Sequence, residues 1–158
     1  MTYLTLKSLH ILSMVLLFGV GLGSAFYKWM ADRGRDPQHI YATNRTVVLA
    51  DWLFTTPTIL LQPASGAAMV VLSGIPLSTS WLLGSILLYL VAGACWIPVV
   101  VLQIRMREIS RHAAERGSDL PERYWRYARI WFWLGVPAFL SMVMIVCLMV
   151  YKPVWSLI

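Results

Sequence analysis

Few side chains in this sequence can do chemistry, and most of them sit inside apolar runs. Lys7 and His10 stand three residues apart near the start, and with Met14 and Gly21 they recur at helical spacing on one face. Of the three histidines, only His10 lies within a long apolar run; His39 and His112 lie among charged residues. An imidazole at such a position can ligate a metal or pass a proton, or it can simply be a hydrogen-bonded core residue. A second group gathers Asp51, Thr55, Thr56, Pro57, Thr58, Gln62, Pro63, Ser65 and Gly66. Its two prolines bend a helix and free backbone carbonyls, and threonines can satisfy some of those by bonding back. This stretch reads either as the wall of a cofactor or substrate cavity or as a kinked helix held by hydrogen bonds. Asp51 is expected to pair with Arg45 or Arg105. Trp96 and Gln103 share a face seven residues apart, as do Met142 and Met149. Methionine at that spacing is core filler or, more sharply, an axial ligand to haem iron.

The elements that carry these residues follow from composition. Of 158 residues, 59% are hydrophobic and only 13% charged, about half the charge of a soluble domain. A disordered chain and an ordinary cytosolic enzyme are excluded. Four stretches are long enough to cross a bilayer, at about 3–27, 47–73, 81–104 and 130–151. The first is too long for a signal-peptide core, and Lys28, Trp29 and Arg33 behind it form a stop-transfer flank. The expected fold is all-α: a single transmembrane domain over 1–158, an antiparallel four-helix bundle. Cys95 and Cys147 lie in apolar runs and read as small hydrophobes. Phosphate-binding glycine loops, zinc-protease motifs and serine nucleophile elbows are absent from the sequence.

The net charge of +6 reports orientation and contact with anionic lipid, not nucleic acid. Eleven of the 13 Lys and Arg residues fall in segments 28–46 and 105–129, and the short segment 74–80 holds none. The positive-inside rule makes those two basic segments cytoplasmic loops and puts both termini outside, in the periplasm of a bacterium. Residues 105–116 have helical character, so the third span is expected to continue into the cytosol as a solvated helix. Gly19 and Gly23 form a small-xxx-small pair suited to a close helix neighbour.

The opening Leu6-Lys7-Ser8-Leu9-His10-Ile11, then Phe18-Gly19 and a basic flank, resembles the first helix of the HemJ-type protoporphyrinogen IX oxidases. Arg129, Gly135-Val136-Pro137-Ala138 and Lys152-Pro153 resemble the last span of that family, and Pro57 and Gly66 its second. The third span departs from it, with neither the lysine nor the histidine the oxidases carry there. The whole chain is more similar still to a family of predicted bacterial integral membrane proteins of unknown function. That pattern appears as Asp51-Trp52, Gln62-Pro63 to Gly66, Trp96-Ile97-Pro98, Gln103-Ile104-Arg105-Met106-Arg107 and Lys152-Pro153.

The resemblance implies haem b or a porphyrin as the bound molecule and His10 as its metal ligand and catalytic residue. Lys7 and Lys152 would pair with propionates, Gln62 would hydrogen-bond in the cavity, and Met14 is one candidate for the second axial ligand. The expectation is a haem-associated redox protein of the bacterial inner membrane, with quinone as a plausible acceptor. The alternative is a non-enzymatic carrier, or an accessory subunit packing in a homodimer or larger complex. The charge count generates a direct test. A C-terminal phosphatase fusion is expected to be active in the periplasm and a C-terminal fluorescent fusion to be dark; the reverse pattern overturns the orientation.

Overall fold

The apolar runs lengthen into helices that outlast a bilayer, because the Arg- and Glu-rich flanks are themselves good helix formers. The computed structural model describes residues 2–153. Helix α1 covers Tyr3–Gly34 and α2 covers Pro37–Ala50. A π-helical turn, Asp51–Thr55, joins α2 to α3, Thr56–Ser73, so the two form one continuous rod. Helices α4, Ser80–Arg116, and α5, Glu122–Tyr151, complete the chain. The four rods are long and apolar enough to cross a membrane, and there is no strand among the described residues.

The basic segments expected as loops are mostly helix. Only Arg35 and Asp36 separate α1 from α2. Arg35 takes the left-handed conformation that ends α1, and the Asp36 carboxylate accepts from the backbone N–H groups of Gln38 and His39, at 3.1 and 3.3 Å. Pro37 fits the first helical position because no bond is needed from its nitrogen. Gly117, with φ 60°, ends α4. Its last turns continue as the expected helix, with Ser110, Ala113 and Ala114 buried on one face and Arg111 bridging Glu108 and Glu115 on the other. These charges are exposed, and such pairs add little stability.

The prolines are accommodated individually. Pro63 cannot donate to the Ile59 carbonyl, and the Tyr89 hydroxyl of α4 donates to it instead. Ahead of Pro57, the ladder widens into the π turn, where the Thr56 N–H reaches the Asp51 carbonyl. Thr58 bonds back to the carbonyls of Phe54 and Thr55, at 2.6 and 3.0 Å.

Two apolar clusters hold the rods together. At the basic end, Ala31, Ile40, Leu102, Met106 and Tyr124 pack with Trp125 and Trp131. At the opposite end, Trp81, Leu82 and Leu148 pack with Val70 and Met149. A polar network crosses the first cluster. Lys28, counted in the sequence as a loop cation, is only 1% exposed. Its ammonium donates to Asp32 at 2.8 Å and to the Tyr124 hydroxyl at 2.9 Å. Tyr124 donates to Asp32 at 2.6 Å, and Asn44 donates to both Tyr124 and Ser110 at 3.1 Å. One hydroxyl therefore ties α1, α2 and α5, and Asn44 adds α4. Tyr124→Phe should lower stability by roughly 2–3 kcal/mol, the cost of leaving buried donors unpaired. Arg111→Ala should leave it within about 0.5 kcal/mol, as at an exposed site. Denaturation in micelles checks both.

Candidate functional site

Between the two end clusters the rods splay and leave a cavity of about 350 Å³. All four rods line it: Leu17 and Gly21 from α1, Asp51 and Thr55 from the π turn, Trp96 and Gln103 from α4, Trp131 and Gly135 from α5. Most of the wall is apolar. Phe18 and Phe139 meet edge-to-face across α1 and α5, with ring centroids 5.6 Å apart. Around that contact Leu22, Phe132 and Leu140 are exposed on the outer surface. The α1–α5 seam is thus apolar and open to the outside of the bundle.

Local structure explains why polar groups are here at all. The π turn advances Asp51 and Thr55 onto the cavity side, and the Asp51 carboxylate accepts from the Thr55 hydroxyl at 2.8 Å. The expected partner, Arg45 or Arg105, is not used: among the described residues no ion pair reaches Asp51, and both arginines are exposed at the rim. Four buried polar atoms in the wall have no hydrogen-bond partner: Asp51 Oδ2, Gln103 Oε1, Trp96 Nε1 and Trp131 Nε1. Asp51 and Gln103 are 6% and 5% exposed. The shared face of Trp96 and Gln103, legible from their spacing, is the face turned to the cavity.

The residues singled out near the N-terminus form a different place. His10 is half-buried between α1 and α3, about 10 Å along α1 from its start. Its Nδ1 lies 2.8 Å from the Ser65 hydroxyl. That hydroxyl donates to the Leu61 carbonyl at 2.6 Å and so has no second proton. With its proton on the Leu61 carbonyl the hydroxyl accepts from Nδ1–H, and this assignment leaves Nε2 without a proton. Gln62 is buried and donates its amide to the His10 carbonyl at 3.1 Å, beside the Ser13 hydroxyl at 3.0 Å. Gly66 opposes the imidazole edge; a Cβ there would stand 3.5 Å from His10 Cε1.

Met14 is half-buried on α1, and Lys7 is exposed. Lys152 ends α5 and places its ammonium 5.5 Å from the Trp81 ring centroid, on another helix pair. None of Lys7, His10, Met14, Gln62 and Lys152 lines the cavity. Among the described residues no group of three or more His, Cys, Asp or Glu is gathered for a metal ion.

The sequence reading passed over the Lys28, Asp32, Asn44, Ser110 and Tyr124 network and the Trp131 wall position. Lys28 and Asp32 do carry a local signal, an ion pair four residues apart. Nothing local signals their meeting with Tyr124.

The His10 geometry makes a spectroscopic prediction. In protein labelled at the imidazole nitrogens, His10 should show a protonated Nδ1 and an unprotonated Nε2. Ser65→Ala should mix the two tautomers. Equal tautomer populations in the wild type would contradict the assignment.

A family model described as predicted integral membrane protein (DUF2269) matches residues 4–153. No curated protein and no solved structure matches the chain.

Proposed function

From the premise that the chain belongs to this family of predicted integral membrane proteins, we propose that it is a membrane-embedded binding protein for a small, mostly apolar molecule. The observation that supports this is the cavity of about 350 Å³ lined by all four rods. That volume is at the lower end of small-molecule sites. The ligand enters sideways from lipid through the α1–α5 seam, where apolar side chains present no desolvation cost. Both end clusters stay packed while this seam opens.

A second reading is a haem held on His10, as the resemblance to the HemJ-type oxidases implies. The free Nε2 favours it, because iron ligation needs a deprotonated nitrogen and a partner that orients the ring. Haem would then supply one-electron redox chemistry beside α1 and α3. His10 would be its axial ligand, Ser65 would orient the ring, and Lys7 stands near enough along α1 to pair with a propionate.

The two readings separate experimentally. Protein in lipid nanodiscs should bind 2-methylnaphthalene saturably above the partition into empty nanodiscs. Gly93→Leu and Gly135→Leu, on different helices, fill open space at the cavity wall and should each abolish that binding. Absence of saturable binding in the wild type rejects the cavity reading. Haem titration should give a Soret band that His10→Ala removes and His39→Ala keeps; a wild type that stays colourless with ample haem rejects the second reading.

A further inference from the structure

The four unpartnered atoms have a composition of their own. Two are donors, the indole N–H groups of Trp96 and Trp131, and two are oxygens, Asp51 Oδ2 and Gln103 Oε1. A buried polar atom without a partner costs about 1–3 kcal/mol, so four in one wall form a conspicuous deficit. Their neighbours are engaged elsewhere: Thr55 bonds the other Asp51 oxygen, and Tyr89 caps the Ile59 carbonyl. Nor do the four relieve one another, although donors and acceptors stand in the same wall. Trp131 is further fixed by Lys28, whose ammonium lies 5.5 Å from its ring centroid.

Resting on the reading of this cavity as a binding site, we infer that its ligand is a quinone or the corresponding quinol, a flat apolar ring bearing two oxygens. The wall suits both the shape and the polarity of such a ring. Its apolar surface takes the ring faces, and the two indole N–H groups donate to the two oxygens. Those oxygens accept hydrogen bonds in either redox form. In the quinol they also donate, and Asp51 and Gln103 are the acceptors that receive those protons. A plain hydrocarbon leaves all four atoms unpaired. An anion would stand beside the Asp51 carboxylate against a mainly apolar wall, at a high desolvation cost, and a cation would leave both indole N–H donors unpaired. All four atoms are covered by neighbouring protein atoms, so reaching a ligand requires rotation of the indoles and the amide about their terminal torsions.

The test compares two probes of nearly one shape, menadione and 2-methylnaphthalene, which differ by the two carbonyl oxygens. Each is measured in radiolabelled form as saturable binding to the full chain in nanodiscs, above the partition into empty ones. Menadione should bind at least about tenfold more tightly, the equivalent of two modest hydrogen bonds. Trp96→Phe and Trp131→Phe keep an aromatic ring, in the second case for Lys28, and remove only the donor. Each should weaken menadione about threefold to tenfold and leave 2-methylnaphthalene unchanged. Gln103→Leu should weaken menadiol more than menadione, because the lost group is an acceptor. If one variant fails to fold, the others still decide. Equal affinity for the two probes, or indole variants that bind menadione normally, overturns the quinone inference while the cavity reading stands. Failure of both probes to bind the wild type removes both.

Discussion

A buried ammonium governs this bundle. Lys28 lies almost wholly out of solvent on an apolar helix, and a charge in that position has to be paired and hydrogen-bonded. Asp32, one helical turn away, supplies the charge, but a single turn of α1 cannot satisfy three ammonium protons. The rest comes from Tyr124, with the rings of Tyr124 and Trp131 facing the cation at 5.0 and 5.5 Å. Because Tyr124 also takes a hydrogen bond from Asn44, and Asn44 reaches Ser110, one paired charge sets the positions of α1, α2, α4 and α5. Helices in lipid gain little from the hydrophobic effect between them, so such cross-links and close packing must register the bundle.

Pinning the rods at one end has consequences further along them. The π turn at Asp51–Thr55 and the prolines behind it interrupt the regular hydrogen-bond ladder of the second rod. That rod packs on α4 through α2, while beyond the turn α3 packs on α1. The partner exchange opens the middle of the bundle, and the Trp81–Leu82–Leu148 cluster closes it again at the far end. The cavity is therefore not a packing defect scattered through a loose core. It lies where a helix irregularity coincides with a change of neighbour, and the same irregularity delivers Asp51 to its wall.

The molecule then holds two distinct polar places. One is His10 with Ser65 and Gln62 at the α1–α3 contact, where each hydrogen bond is accounted for except at Nε2. The other is the cavity wall, where Asp51, Trp96, Gln103 and Trp131 each retain an unused bonding group. Hydrogen bonding in the first also serves helix pairing, since Gln62 of α3 donates to the His10 carbonyl of α1. In the second, one polar atom of each of the four side chains is left without a partner in the fold. The two places thus differ in how far the fold itself satisfies their polar groups.

The sequence by itself determined the four long apolar helices, their alternating course and the type of residue at each polar position. These follow from composition, from a period close to 3.6 and from the length a bilayer requires, all of which are local. It also carried the Trp96–Gln103 face and the helix irregularity signalled by Pro57 and Pro63. It left Lys28 looking like an ordinary flanking cation and assigned Asp51 to an arginine that sits instead at the exposed rim. Only the tertiary structure decided that Lys28 is buried against Tyr124, 96 positions away in sequence, and that the polar atoms of three rods converge on one cavity apart from His10. The periodicity of a helix says which residues share a face. The rotation of that face about the helix axis, and the helix it meets, depend on partners far along the chain, and no local pattern records them.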